Sequence, residues 1–188
     1  MTQLRFNTPC ILAGVSLLIA TLTIPSSAIA ADPPVTDANI AAIVVAANQI
    51  DIDYGKIALT KSKDKEVRGF AQRMITDHGA LQKAVKSLAA KLKLTPEENP
   101  TSEGLKKNAV EITAKLNSLN GKEFDKFYID NEVNYHTQVI GAVKTVLIPN
   151  ATNPELKSAL VNAEALFEKH LEHARQIQAK ENQADRSK

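Results

Sequence analysis

The sequence is poor in the residues that build sheets. It contains no tryptophan, aromatic residues make up only 4% of it, and glycine occurs seven times in 188 residues. Strands are enriched in aromatic and β-branched residues, and the alternating apolar stretches here are too short to predict a strand. Alanine, leucine, lysine and glutamate are plentiful, and these residues favour helices. The composition therefore predicts an all-α protein.

Several common catalytic arrangements are also missing. The sequence has no glycine-rich loop of the kind that binds phosphate, and no arrangement of serine, histidine and aspartate typical of a hydrolase. The single cysteine is Cys10, near the N terminus. The pattern therefore indicates no catalytic or cofactor-binding residue of these kinds, and it leaves open whether the protein is an enzyme.

The N-terminal segment predicts a secretory signal peptide. Arg5 supplies a positive charge, and the mostly apolar run Ile11–Ile24 that follows is too short to span a bilayer comfortably. Residues 28–30, Ala-Ile-Ala, place small side chains where a signal peptidase cuts. We expect cleavage after Ala30, a periplasmic location and no stable membrane insertion after cleavage. The alternative is an uncleaved membrane anchor.

The exported domain would contain no cysteine, because Cys10 lies inside the predicted signal. It would therefore form no disulfide and offer no thiolate. Its stability must come from its core, and any metal site must use histidine and carboxylate side chains.

The charges are nearly balanced. Lysine and arginine number 23, aspartate and glutamate 21, and the formal net charge is +2. Both signs are interspersed along the chain, whereas a nucleic-acid surface is typically a basic stripe and an anionic membrane attracts basic clusters. We expect neither as a partner. The sequence identifies no protein partner.

Four long segments carry apolar residues at helical spacing, and one shorter segment lies between the second and the third. Short connections between long helices are typical of an antiparallel four-helix bundle. We predict this fold for residues 31–182, with one short extra helix and a disordered tail at 183–188. The predicted helices cover about 37–61, 65–93, 105–119, 122–147 and 154–182, with a loop at 95–104, a stop at Asn120-Gly121 and another at Pro149.

Polar residues interrupt the apolar stripes of the long helices near their middles. In the second helix, His78 stands in a stripe of otherwise apolar residues, and the third helix has Glu132 and His136 one turn apart. The fourth helix carries His170, and Asp51 of the first lies about 50° from the centre of the apolar face at 100° per residue. Residues near the middles of antiparallel helices lie at one level, so these side chains can converge.

Histidine nitrogen and carboxylate oxygen are the donors that divalent transition metals accept. We therefore predict a site for iron, zinc, copper or manganese, with His78, His136 and His170 as the first candidates for its ligands. Its remaining candidates are carboxylates. These are Glu132, Asp51 and Asp77, the last as a ligand or as a group that orients a ligating histidine.

One neighbouring residue is a weaker candidate, and one alternative to a metal stays open. His173 follows His170 by three residues at the edge of the same face, whereas Asp53 falls about 110° from the apolar face of its helix and should face water. The alternative to a metal is a buried network in which the same histidines and carboxylates hydrogen-bond each other and fix the helix register.

Several segments together resemble the bacterial domain of unknown function 4142 family, whose members are exported and placed in the ferritin-like superfamily. The resemblance covers roughly residues 37–179. The segments that carry it are DIDYGKIA at 51–58, FAQRMITDH at 70–78, LNGKEFDKFY at 119–128, His136, and HLEHA at 170–174.

The resemblance implies a ferritin-like four-helix bundle in the periplasm without a settled activity. The family's Asp-His pair corresponds to Asp77 and His78, and its later histidines to His136 and His170. Asp51 stands where the family tends to carry glutamate.

True ferritins hold two metals with paired Glu-x-x-His motifs. Here three residues separate Glu132 from His136, and Phe167 stands three residues before His170. We therefore expect a single metal or a loosely held pair. The function expected is metal handling or protection against oxidative stress, and the alternative is a non-catalytic structural or interaction bundle of the cell envelope.

Overall fold

The computed structural model describes residues 35–186, and over this range the chain is helical with no strand. The predicted signal peptide and Cys10 lie outside the described residues. The all-α class and the antiparallel four-helix bundle are confirmed. The ferritin-like label that the resemblance implied stays a prediction.

Four long helices form the bundle, and a shorter one packs outside it. In chain order they are α1 (Asp37–Lys61), α2 (Lys65–Lys91), α3 (Pro100–Ser118), α4 (Gly121–Ala142), a π-helical segment (Val143–Leu147), the short α5 (Ile148–Asn150) and α6 (Pro154–Arg186). Helix α1 packs along α2 and α4 along α6, while contacts of α2 with α6 and of α1 with α4 close the bundle. Helix α3 lies against α1.

Side-chain caps set the starts of α1 and α2, and both helices begin where the sequence predicts. Thr36 accepts a hydrogen bond from the backbone N–H of Asn39 and begins α1, and Asp64 caps α2 in the same way. The predicted stop after α3 is confirmed, since α3 ends at Ser118 and Gly121 has φ of +56°, a conformation that favours glycine.

The predicted start of α3 and the predicted stop at Pro149 are wrong. Helix α3 begins at Pro100 rather than near Leu105, because the Asn99 side chain caps the N–H groups of Thr101 and Ser102 and proline is tolerated in a first turn. The fourth element does not stop at Pro149. Helical structure continues to Asn150, because Pro149 lies in the first turn of α5, where its missing N–H is not needed.

The final helix is longer than predicted. Asn153 caps it by accepting from the backbone N–H groups of Glu155 and Leu156 at 2.9 and 3.2 Å. It runs to Arg186, four residues beyond the predicted end near Asn182. No helix among residues 35–186 is both long and apolar enough to cross a bilayer.

Two apolar clusters fill the bundle, one toward each end. One is centred on Tyr54, Phe70 and Tyr128, and the other on Ile40, Leu147 and Leu160. Between the two clusters lies a layer of buried polar side chains. They are Asn48, Asp51, His78, Glu132, His136 and His170.

Candidate metal centre

Three histidines from three helices meet in the polar layer. His78 of α2, His136 of α4 and His170 of α6 are each no more than 3% exposed. Their ring centroids lie 5.2 to 5.7 Å apart, and one ring nitrogen from each lies within 4.8 Å of the others. The mid-helix positions therefore do converge at one level of the bundle.

Two fully buried carboxylates border the histidines. The Oδ2 atom of Asp51 lies 3.0 Å from Nε2 of His78 and 3.4 Å from Nε2 of His136. Donor atoms of Asp51, Glu132 and His136 also lie within 4.8 Å of one another. All four long helices of the bundle thus contribute to one cluster of nitrogen and oxygen donors.

Each histidine is oriented by a hydrogen bond from one ring nitrogen. His78 Nδ1 contacts the side-chain oxygen of Asn48 at 2.8 Å, and His170 Nε2 contacts Oδ2 of Asp77 at 2.9 Å. His136 Nδ1 contacts the backbone carbonyl of Glu132 at 3.1 Å. All three oxygens are acceptors, so each of these ring nitrogens carries the hydrogen and donates it.

The other nitrogen of each ring is left with a lone pair. His78 Nε2, His136 Nε2 and His170 Nδ1 are buried without a hydrogen-bond partner among the described residues, and so are both carboxylate oxygens of Asp51. The contact of His78 with Asp51 is short, but it is not aligned as a hydrogen bond. Buried hydrogen-bond acceptors that face only other acceptors lose their hydration and gain no hydrogen bond in return. A metal cation would satisfy those of the groups that it contacts, and ligating histidines usually donate their second N–H to an oxygen as these do.

The site treats its two buried carboxyl groups differently. Burial would raise the pKa of Asp51, but the neighbouring His78 and His136 outweigh burial and lower it below the usual value. Burial, together with the charge of Asp51, raises the pKa of Glu132 well above its usual value. The site therefore favours the ionised form of Asp51 and the protonated form of Glu132.

Burial also keeps two of the histidines uncharged. It lowers the pKa of His136, and it lowers that of His170 to about 4 although the bond to Asp77 acts in the opposite direction. Neutral imidazole is the form that binds metal, so at pH 7 these rings are in the state that a metal site requires.

Aromatic side chains form the walls around the imidazoles. The ring of Phe167 stacks on that of His78 with centroids 5.3 Å apart and an interplanar angle of 3°. Tyr135 meets His136 edge to face, and its hydroxyl donates to the backbone carbonyl of Ala47 at 2.9 Å. These contacts restrict the rotation of the rings and keep water away from them.

The structure brings five of the six predicted site residues together at the centre. The sixth, Asp77, is 30% exposed and lies behind His170, which it orients. His173 is outside the cluster, with its ring against Phe70 at 5.3 Å. Asp53 is about half exposed and pairs with Lys56.

Sequence reasoning missed Asn48. This residue is 2% exposed and supplies the acceptor for His78. The available signal was its spacing, since Asn48 precedes Asp51 by three residues and therefore shares its helix face. An asparagine within a run of alanine, valine and isoleucine is a candidate for a buried partner of another polar group.

Comparisons with known proteins agree with this fold. A family model described as "Domain of unknown function (DUF4142)" matches residues 23–177. No curated protein matches the chain.

Three solved structures are similar in fold. A DUF305 protein from Streptomyces coelicolor is 14% identical with a TM-score of 0.65, over 77% of this chain and 92% of that one. A DUF305 fragment from Deinococcus radiodurans is 12% identical with a TM-score of 0.66, over 79% and 99%. A structure titled "CopM in the Cu(II)-bound form" is 15% identical with a TM-score of 0.60, over 79% and 99%. At such identities the likeness shows the helical fold alone.

Proposed function

Because this chain belongs to the DUF4142 family, whose description assigns no activity, we propose from its own side chains that it binds a divalent transition-metal ion at the centre of the bundle. The observation that carries the proposal is the set of three buried ring nitrogens beside the carboxylate of Asp51, none of which has a hydrogen-bond partner within residues 35–186. We assign His78, His136 and His170 as ligands and Asp51 as the charged ligand.

The remaining groups of the cluster support these ligands. Asn48 and Asp77 orient two of the rings, because they accept the hydrogens of the nitrogens that point away from the centre. Glu132 lies beside Asp51 and His136, and its raised pKa favours the protonated form. A bound cation would favour loss of that proton, and Glu132 would then offer a second carboxylate.

The donor set narrows the choice of metal. Three imidazoles with one carboxylate and no sulfur suit copper(II), zinc and iron(II) better than manganese or magnesium. Copper(II) is the ion to test first, because it binds such sites most tightly and because one protein of similar fold has a Cu(II)-bound form.

We place this binding in metal handling outside the cytoplasm. The signal peptide predicted for residues 1–30 supports export to the periplasm. A bundle that removes a redox-active ion from solution there would also protect neighbouring molecules against oxidation.

The hydrogen bonds of the cluster also support a second function, in which no metal binds. Every histidine of the cluster already has one hydrogen bond to the protein, and a protonated His78 could pair with Asp51 at 3.0 Å. The same residues would then form a polar network that fixes the register of a structural or interaction bundle, without a metal.

Calorimetric titration of the metal-free chain, made without a polyhistidine tag, separates the two functions. We expect one ion per chain, with copper(II) bound more tightly than zinc and manganese most weakly. His136→Ala should lower the affinity by more than about 100-fold, since residues that only orient ligands are worth 10- to 100-fold. His173→Ala is the matched control and should change nothing. If none of these metals binds, the network function stands.

A further inference from the structure

A small cavity adjoins the donor cluster on one side. Its volume is about 30 Å³, and Asp51, His78 and His136 form part of its wall. Glu132 and His170 do not line it. The cavity is therefore a space next to three of the proposed ligand residues, and its other polar lining residues are Asn48 and Tyr135.

Most of the cavity wall is apolar. Seven of its twelve lining residues are alanine, valine, leucine or phenylalanine. A space of this volume holds two or three atoms the size of a water molecule, because a single water needs roughly 10–15 Å³. An anion would meet the Asp51 carboxylate, and a cation would be drawn to the ligand cluster instead. The wall thus fits a small uncharged molecule that needs few hydrogen bonds.

The cavity lies directly behind a surface groove. The groove has a volume of about 540 Å³ and runs between α1, α2 and the first half of α6. Four residues line both spaces and form the partition between them, namely Val44, Asn48, Leu160 and Ala163. Small movements of these side chains would join the groove to the cavity.

The opposite wall of the cavity is built where α4 changes its winding. Val139 lines the cavity from the last turn of α4, and Val143 lines it from the first residue of the π-helical segment. Short π-helical segments inside helices occur often at functional sites. Here the wider turn coincides with the residues that shape the cavity.

We propose that this cavity binds a small uncharged molecule of about two heavy atoms, which enters from the groove and lies beside the metal site. The proposal that this molecule contacts a metal rests on the proposed function. The cavity itself involves only the protein, so it can be tested on the metal-free chain and can fail independently of metal binding.

Dissolved dioxygen is a suitable probe because it is diatomic, uncharged and paramagnetic, so that it shortens the NMR relaxation times of the methyl protons it touches. In the metal-free full chain under oxygen pressure, we expect several-fold larger relaxation enhancements at the methyl groups of Val139, Val143 and Leu160 than at Ile129, which is buried away from the cavity. Equal enhancements at all four residues would overturn the proposal. So would water in the cavity, seen as water–methyl cross-peaks without any effect of dioxygen.

A matched pair of variants locates the bound molecule. Val143→Ile adds one methylene to the cavity wall, and Val146→Ile adds the same group to a residue of the same segment that is 38% exposed. The first should abolish the enhancement at Val139, which lines the cavity but not the groove, and the second should leave it unchanged. If Val143→Ile does not fold, Val139→Ile serves in its place, with the enhancement measured at Val143. An enhancement that survives in folded Val143→Ile or Val139→Ile would contradict the assignment to this cavity.

Discussion

At the scale of single residues, the cluster is distinguished by the direction of its hydrogen bonds. Each imidazole donates outward, to Asn48, to Asp77 or to the Glu132 carbonyl, and presents a bare nitrogen inward. Periodicity predicted which residues point inward, since it depends only on spacing. It could not predict the outward partners. Asp77 serves His170 rather than its neighbour His78, because adjacent residues of a helix point about 100° apart.

Asn48 provides a test of this orientation. Asn48→Leu removes the acceptor for His78 Nδ1, so the ring loses its fixed tautomer and direction. We expect metal affinity to fall by about 10- to 100-fold, the usual effect of losing such a partner. Calorimetric titration with copper(II) measures it.

Gln82→Leu is the control for that change. Gln82 is also buried, at 7% exposed, but it donates to the backbone carbonyl of Val45 and not to a histidine. The Gln82→Leu variant should bind metal with the same affinity as the wild type. Equal losses in both variants would mean that the cluster responds to packing rather than to the orientation of His78.

Glu132 makes the stability of the metal-free protein depend on pH. Its folded pKa is raised above the unfolded value of about 4.5. At pH values between the two, the folded state therefore holds a proton that the unfolded state has lost. This contribution is fully present below pH 4.5 and is lost as pH rises through the folded pKa. Glu132→Gln mimics the protonated form at every pH, so this variant does not lose stability as pH rises through the folded pKa of Glu132.

The free energy of unfolding in urea measures this effect at pH 4.5 and at pH 8. We expect Glu132→Gln to be more stable than the wild type at pH 8 by on the order of 1–3 kcal/mol and nearly equal to it at pH 4.5. A constant difference between the two proteins across this range would show that folding does not shift the pKa of Glu132.

At the scale of helices, local signals determined most boundaries. Thr36, Asp64 and Asn153 cap α1, α2 and α6 where the sequence predicts, because a cap involves only a few adjacent residues. The start of α3 was misplaced because prolines and a glycine suggested a loop, although proline is also common in a first helical turn. The π-helical segment had no signal in the sequence, since Val143–Leu147 is an ordinary helical stretch.

Two glycines test how closely α1 and α2 approach. A Cβ atom at Gly55 would lie 3.0 Å from the backbone oxygen of Ala71 and 3.0 Å from Cγ1 of Ile75. The backbone of α2 cannot move away easily, so we expect Gly55→Ala to destabilise the fold by about 1 kcal/mol, because the overpacking exceeds the gain in helix propensity. Thermal unfolding measures the difference.

The matched substitution is Gly69→Ala in α2, where a Cβ atom would have no neighbour within 4 Å. Only helix propensity acts there, and alanine should stabilise the helix by about 0.5–1 kcal/mol. If both variants are stabilised to the same extent, α1 and α2 do not pack as closely as described.

At the scale of the whole molecule, two apolar ends enclose a polar middle. The apolar ends stabilise the bundle. The buried nitrogen and oxygen atoms at its centre, which lack hydrogen-bond partners among the described residues, reduce that stability in the absence of a cation. The sequence predicted this layered arrangement from apolar periodicity and mid-helix polar residues. It did not predict the cavity or the groove, because both arise from how helices far apart in sequence meet.

Metal should therefore stabilise the whole fold. A ligand that binds only the folded state at 100 times its dissociation constant adds about 2.7 kcal/mol, which raises Tm by roughly 5–10 °C in a domain of this size. We expect this rise with copper(II) or zinc in calorimetric scans of the wild type and of His173→Ala. His78→Ala should show no rise, and a rise in that variant would place the ion elsewhere.

The most direct test of the central claim is the metal content of the full chain after export, purified without a polyhistidine tag. Elemental analysis would compare the wild type with a double variant that combines His78→Ala and His136→Ala, once circular dichroism has shown that both are folded. A metal site in the polar layer predicts close to one ion per wild-type chain and none in the double variant. A wild-type chain that contains no metal, and that takes up none of iron, zinc, copper or manganese, would contradict it.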